Sequence, residues 1–378
     1  LGIFRLVKMM DADVLDYTLK TMYLSYVQNC RFTSPSSQGS IDFMRLSLSE
    51  LYSLDLPLAY SHAFVYIRQM AFHLRNALIA NKKEKLQLVY NWQFIHCLHL
   101  WCKVLALTHP SAILEPLIYP VVQLALGTMD LQKSPRYYPL VLHVCEMLTD
   151  LSAATSTFIP VLPYLITMFS EIKDSKLKTK KVKEGGQYGD MEEKTPNWSC
   201  VLKLSEGEVG VLPVMKSLTQ ECALQITRYL AVEAHTVAFP ELVVPVVVML
   251  KKCEKSKEAF GQHLVRQLLR YITEHASFVE IRRQDISFQM KDRKQLLVWE
   301  TTLKQETNLP IIKFYDKLCS GGASVWQQGD KKRKDAGHQQ QQQINKKRKT
   351  SGAGKTRILT EKIGQAQEKV EELSLADL

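Results

Sequence analysis

Apolar side chains recur at steps of three and four residues through most of the chain. That spacing places them on one face of an α-helix. In residues 67–78 the apolar positions are Ile67, Met70, Ala71, Leu74, Ala77 and Leu78. The positions between them are polar, namely Arg68, Gln69, His73, Arg75 and Asn76. This pattern predicts an amphipathic helix with one face in the core and one face in water.

The next segment, residues 86–107, is apolar on nearly every side, and Thr108, His109 and Pro110 end it. Such a pattern predicts a helix buried between neighbouring helices. The aromatic residues of this region lie at core spacing among Leu and Ile, so we expect them to pack in the core rather than to stack on nucleic-acid bases. They are Tyr60, Phe64, Tyr66, Phe72, Tyr90, Trp92, Phe94 and Trp101.

Proline-punctuated apolar runs follow, and proline is typical of the first turn of a helix. Three of the runs match one another, with Pro120, Pro163 and Pro245 separated by 43 and 82 residues. A period in the low forties with two helices per unit is typical of HEAT and armadillo repeats. The sequence therefore favours an all-α fold, a HEAT/armadillo-like α-solenoid of antiparallel helix pairs. An irregular helical bundle is the alternative, and a β-rich fold is disfavoured because residues 243–248 contain Pro245 and lack hairpin signals.

Composition divides the chain into four segments. Residues 1–172 and 196–318 are predicted to be the first and second parts of a helical-repeat body. Residues 173–195 are charged and poor in apolar side chains, which predicts a disordered insertion. Residues 319–378 are predicted to be a mostly disordered basic and Gln-rich tail. The chain begins within a helical pattern and without Met, which indicates a fragment of a longer protein.

The net charge of +11 is concentrated near the C-terminus, with +9 in residues 331–357 against +5 in residues 1–330. Two tetrabasic blocks separated by eleven residues carry most of it. They are Lys331, Lys332, Arg333, Lys334 and Lys346, Lys347, Arg348, Lys349. This spacing predicts a bipartite nuclear import signal that importin binds. The alternative is a solvated basic tail that binds weakly to RNA or acidic proteins. The same tail could also contact rRNA phosphates nonspecifically, with an affinity that falls steeply with salt.

No residue pattern predicts a catalytic, cofactor or metal site. SGAGKT at 351–356 resembles a phosphate-binding loop, but Lys349 occupies the position of a required glycine. His96, His99 and Cys102 lie at steps of three, yet no fourth ligand stands at zinc-site spacing. We therefore expect a protein that is not an enzyme and binds no cofactor.

The eight cysteines are scattered, with no CxxC pair and no secretory signal, which indicates reduced thiols in the cytosol or nucleus. Residues 86–102 carry no charge, but they contain five polar side chains and are a poor membrane span. We therefore expect no membrane segment.

The polar face of the helix at 67–78 is the best candidate partner surface. It consists of Arg68, His73, Arg75 and Asn76, followed by Lys82 and Lys83. A run of charges on a helix is more often only a solvated face.

Several segments, in order along the chain, closely resemble the nucleolar complex protein 2 family. They include SHAFVYIRQMAFHLRNAL, KKEKLQLVYNWQFIHCLHLWCKVL, LEPLIYPVVQLALG, RYYPLVLHVCEMLTDLS and FIPVLPYLITMF. The resemblance covers about residues 1–300 and is most specific at 60–169. The insertion at 173–195 and the Gln-rich tail depart from it.

The resemblance implies a non-enzymatic, HEAT-like scaffold in large (60S) ribosomal subunit biogenesis. Members pair with sister nucleolar complex proteins, so a heterodimer is expected. They accompany the large-subunit pre-ribosome in nucleolus and nucleoplasm, and no catalytic positions carry over. The alternative is a nuclear chromatin or transcription adaptor that binds histones or regulators.

Overall fold

The computed structural model describes residues 12–80, 83–173, 196–255, 261–286, 288, 291–306 and 308–320. Within them the regular structure is helical, and no β-strand is present. The prediction of an all-helical fold is therefore confirmed. Chain contacts place Leu1–Ser320 in one compact unit.

Thirteen α-helices build the described part of this unit. They are α1 (Ala12–Asn29), α2 (Gln38–Tyr52), α3 (Leu56–Ala80), α4 (Lys83–Gln87), α5 (Trp92–Thr108), α6 (Ile118–Asp130), α7 (Tyr138–Thr155), α8 (Leu162–Lys173), α9 (Leu212–Val232), α10 (Phe239–Lys255), α11 (Gln262–Gln284), α12 (Arg293–Lys304) and α13 at 310–320. Residues 243–248 lie in helix α10, so the prediction that they do not form a strand is confirmed.

Proline opens several of these helices, as the sequence predicts. Pro139, Pro163 and Pro213 are the second residues of α7, α8 and α9. Pro245 is an exception because it lies inside α10, and Pro240 takes the first-turn position instead. An N–H in the first turn has no acceptor within its helix. Proline, which lacks this N–H, therefore costs the helix no hydrogen bond there.

Helix α5 is the centre of the first half of the body. It packs against α1, α2, α3, α6 and α7, which confirms the prediction of a helix enclosed by its neighbours. The helix begins later than the apolar pattern suggests, since the Asn91 side chain accepts a hydrogen bond from the Phe94 N–H at 2.9 Å and caps it. Residues 83–87 form the separate helix α4. The end at Thr108 is as predicted.

The longer helices make contacts in two neighbouring rows. In the first row α2 contacts α5, α5 contacts α7, and α7 contacts α9. In the second row α3 contacts α6 and α8 contacts α10. The rows join where α2 meets α3, α5 meets α6, and α7 meets α8. Pro120, Pro163 and Pro245 all fall in helices of the second row.

The two predicted parts of the body pack directly on each other. Arg228 of α9 lies 2.7 Å from Glu146 and 2.5 Å from Asp150, both on α7. The Tyr229 hydroxyl donates to the Ile159 carbonyl at 2.8 Å. The first part extends one residue beyond its predicted end, because Lys173 closes α8 and is buried. The rest of the predicted insertion, 174–195, lies outside the described residues, as does the tail from 321.

None of the helices in the described ranges combines the length and the apolar character that a membrane crossing needs.

Candidate partner-binding surface

The outward side of α3 carries large apolar side chains. Phe64, Val65, Phe72, Leu78 and Ile79 are exposed at 48%, 49%, 47%, 55% and 73%. The prediction that Phe64 and Phe72 pack in the core is therefore wrong, and so is the inclusion of Ala71 and Leu78 in the buried face. The buried side of α3 is a narrower stripe than the sequence suggests, with Ile67, Met70, Leu74 and Ala77.

Phe64, Arg68, Phe72, Arg75 and Ile79 follow one another at steps of four, four, three and four residues. Side chains at these steps form one line along a helix. We call this line the α3 stripe. The Arg68 guanidinium lies 5.5 Å from the centre of the Phe72 ring, in the range of a cation–π contact. The stripe therefore alternates apolar and cationic side chains.

The structure divides the partner surface that the sequence predicts. Arg68, His73, Arg75 and Asn76 are all exposed on α3. Arg68 and Arg75 share the stripe, whereas His73 lies about 140° around the helix from Arg68 at 3.6 residues per turn.

Ten further predicted site residues cannot be placed on this surface. Lys82 and the side chain of Lys83 lie outside the described structure. All eight import-signal residues, at 331–334 and 346–349, also lie outside it.

Polar contacts on the inner side of α3 fix its orientation. His62 is buried, and its Nε2 lies 2.7 Å from Asp16 Oδ1 of α1. Its Nδ1 lies 3.3 Å from the Tyr52 hydroxyl of α2. An ionised carboxylate only accepts hydrogen bonds, so Nε2–H donates to Asp16, and in the neutral ring Nδ1 then accepts from the Tyr52 hydroxyl. The Lys20 ammonium, together with His62, holds the pKa of Asp16 below its ordinary value.

An aromatic cluster lies beneath the same helix. The Tyr66 ring of α3 stacks on Tyr23 of α1 with centroids 3.8 Å apart. Trp101 of α5 is 1% exposed and lies 6.1 Å from Tyr66 and 5.2 Å from Tyr52 by ring centroids. Burial raises the pKa of the Tyr23, Tyr52 and Tyr66 phenols, so these hydroxyls stay neutral. The prediction that Trp101 belongs to the core is confirmed.

Helix α6 approaches α3 closely at a glycine. A Cβ on Gly127 would lie 2.9 Å from Cδ2 of Leu74. The absence of a side chain at this position therefore lets the two helices of the second row pack together. The buried face of α3 thus packs against α1, α2, α5 and α6, while the α3 stripe faces outward.

The three residues considered as metal ligands lie on α5 in unfavourable surroundings for a metal. His96 Nε2 lies 2.8 Å from Thr33 Oγ1, which occupies that ring nitrogen. Burial raises the pKa of the Cys102 thiol to about 12, whereas a metal binds the thiolate. Across the described ranges no cluster of three or more His, Cys, Asp or Glu side chains has an arrangement suited to a metal.

We expect the free energy of unfolding to decrease as the pH is lowered from 7 to 5. Burial lowers the pKa of His96 to about 4, whereas an unfolded histidine titrates near its ordinary value of about 6.5. Between these values the unfolded chain binds a proton that the folded chain does not, so His96 alone should remove about 2 kcal/mol at pH 5. Urea unfolding at both pH values measures the change.

The matched comparison for this titration is His96→Gln against His73→Gln. His73 is exposed on α3, so its replacement controls for the exchange of histidine for glutamine at a site that is not buried. His96→Gln should reduce the loss of stability between pH 7 and 5. Equal pH dependence in all three proteins would contradict the assignment to His96.

The chain is similar to known proteins over nearly the whole described body. The model of the Noc2p family matches residues 13–318. Nucleolar complex protein 2 of Drosophila melanogaster is 36% identical over 318 residues, which are 83% of this chain and 40% of that protein. Nucleolar complex-associated protein 2 of Arabidopsis thaliana is 33% identical over 75% of this chain and 36% of its own length. Nucleolar complex protein 2 homolog of Caenorhabditis elegans is 32% identical over 69% of this chain and 36% of its own length. The chain thus spans less than half the length of these curated relatives.

Proposed function

Because this chain belongs to the Noc2p family, we propose that it is a non-enzymatic scaffold in the biogenesis of the large (60S) ribosomal subunit. It binds sister nucleolar complex proteins, as a heterodimer, and accompanies the pre-ribosome in nucleolus and nucleoplasm. The observation that carries the proposal is the match of the family model to residues 13–318, nearly the whole described body. The relatives themselves are named as nucleolar complex proteins.

The helix contacts support the scaffold part of the proposal. Two rows of helices, in which each helix contacts the next of its row or its partner across the rows, are expected of stacked helix pairs. We propose a HEAT/armadillo-like solenoid on this basis. Such an array presents a long surface in proportion to its core, which suits a protein whose work is to hold others.

Two contributions to binding that differ in their salt dependence are proposed. An interface between helices buries apolar surface and is little affected by salt. Contact between the basic residues of 331–357 and rRNA phosphates weakens steeply as salt rises. Entry into the nucleus is proposed to use importin bound to the two tetrabasic blocks.

Affinity purification of the tagged full chain in low and high salt tests the proposal. We expect sister nucleolar complex proteins to remain bound in high salt, because apolar contacts hold them. We expect rRNA precursors of the large subunit to be recovered in low salt. A matched chain without residues 331–357, added as purified protein to the same nuclear extract, should keep the protein partners and lose the part of the RNA that high salt removes.

Two results would contradict this function. One is the recovery of no nucleolar complex protein and no large-subunit precursor at either salt concentration. The other is the enrichment of histones or transcription regulators in their place, which is the outcome that a chromatin adaptor predicts. Catalytic turnover by the purified chain would contradict the non-enzymatic part.

A further inference from the structure

The α3 stripe has the composition of a surface that another protein covers. Large apolar side chains are exposed on α3 in greater number than on any other helix of the described residues. Aromatic residues and arginine are also the residue types enriched at the centres of protein interfaces. The inner contacts of His62 and Tyr66 hold this side outward, so the chain itself does not cover the stripe within its described ranges.

The charge of the stripe indicates the kind of partner. Helix α3 contains no Asp or Glu between residues 56 and 80. Asp55, just before it, is engaged in capping, since its Oδ1 accepts from the Leu58 N–H at 2.9 Å. None of the ion pairs between described residues involves Arg68 or Arg75.

Five other arginines of the described body differ in this respect. Arg136, Arg228, Arg266, Arg282 and Arg283 each lie within 3.2 Å of a carboxylate oxygen from another part of the chain. The two guanidinium groups of the stripe are therefore available to carboxylates that come from another molecule.

We propose that the α3 stripe binds an acidic amphipathic helix of a partner protein. Apolar side chains of that helix, at steps of three and four residues, pack against Phe64, Phe72 and Ile79, and its Asp or Glu residues pair with Arg68 and Arg75. The stripe spans 15 helical steps, or about 22 Å at 1.5 Å per residue, which matches about four turns of a partner helix. This inference names the surface by which the proposed scaffold holds a partner, and it rests on that function.

A protein helix fits the stripe better than RNA does. Phe64 and Phe72 have rings on which a base can stack, but Ile79 of the stripe and Val65 and Leu78 beside it offer only alkyl groups, which pack against apolar side chains. Two guanidinium groups along about 22 Å are few for a surface that follows a phosphate backbone. The apolar side chains between the arginines of the stripe are of the kind that a bound partner helix buries.

Site-specific photo-cross-linking in the full chain tests the surface. The photoreactive residue p-benzoylphenylalanine replaces Phe72 in one protein and Phe32 in the control, and both are expressed in cells. Phe32 is a matched site because it is 76% exposed and Arg31 lies 5.7 Å from its ring centre. We expect a protein adduct at position 72 whose cross-linked peptide, identified by mass spectrometry, has apolar residues at helical spacing and flanking Asp or Glu.

Charge reversal then decides whether the adduct reflects the proposed contact. Arg68→Glu with Arg75→Glu should weaken binding of the identified helix, as a synthetic peptide, by at least about tenfold, because like charges then face each other. Replacing the flanking acids of the peptide with lysine should restore binding. Arg31→Glu with Phe32→Asp should leave the affinity unchanged, and circular dichroism checks that all variants fold alike.

Three outcomes would overturn the inference. They are no adduct at position 72 above the Phe32 control, an adduct that nuclease removes, and a peptide affinity that charge reversal does not alter.

Failure of this inference can be distinguished from failure of the scaffold function. If the reversed chain still purifies with nucleolar complex proteins, the α3 stripe is not the contact while the function stands. If the original chain purifies with none, the function fails.

Discussion

Trp101→Ala is expected to lower the free energy of unfolding by about 3–5 kcal/mol, the usual cost of removing a large buried aromatic side chain. Trp101 is 1% exposed on the central helix α5, and its ring contacts Tyr23, Tyr52 and Tyr66, one from each of the first three helices. A cavity at that point removes packing from all three at once. Equilibrium unfolding in urea measures the loss.

Two controls make this result specific. The Trp101 indole Nε1 is buried without a hydrogen-bond partner among the described residues, so Trp101→Phe removes an unsatisfied N–H along with some volume. It should cost clearly less than Trp101→Ala. Phe43→Ala, at a side chain that is 72% exposed, should change stability by less than about 1 kcal/mol. Equal effects of Trp101→Ala and Phe43→Ala would contradict the role of α5 as the centre of this half.

Alanine at all eight import-signal positions is expected to reduce nuclear accumulation of the full chain by at least about tenfold, the ratio that corresponds to 1.4 kcal/mol of importin binding. The two blocks, at 331–334 and 346–349, each supply four positive charges. Because the blocks are linked, importin that contacts both binds more tightly than importin that contacts one. Fusion to a large fluorescent reporter prevents passive entry, and the nuclear-to-cytoplasmic ratio is measured by microscopy.

Another lysine cluster provides a charge-matched control. Alanine at Lys178, Lys180, Lys181 and Lys183 removes as much charge as alanine at one import block. This control should leave import unchanged, whereas alanine at either import block alone should already reduce it. Import that survives the eightfold replacement would contradict the signal and leave a basic tail for nonspecific contacts.

The sequence predicts the helical class, the enclosed helix α5 and its end at Thr108, because apolar periodicity and proline act locally. It does not predict where α5 begins, since a single capping hydrogen bond from Asn91 moves the start to Trp92. Similarly, the three matching prolines all lie in helices, but Pro245 lies inside its helix rather than in the first turn. The geometry of a solenoid depends on angles between helices, which no local pattern contains.

The candidate surface is predicted in part. Arg68 and Arg75 are recognised as exposed because they are charged, and both are exposed. Phe64 and Phe72 are missed because an aromatic residue at core spacing looks the same whether a neighbouring helix of this chain or another protein covers it. The available signal is their spacing, since Phe64, Phe72 and Ile79 are in register with the two arginines rather than with Ile67 and Leu74.

Sedimentation of the tagged full chain from nuclear extract through a sucrose gradient tests the scaffold function most directly. Each fraction is probed for the chain, for sister nucleolar complex proteins, for large-subunit rRNA precursors and for histones. The proposed function predicts that the chain moves with the precursors and sister proteins, and that nuclease shifts chain and sister proteins together to a smaller, RNA-free complex. Migration with chromatin, or as a free chain without any of these partners, would contradict it.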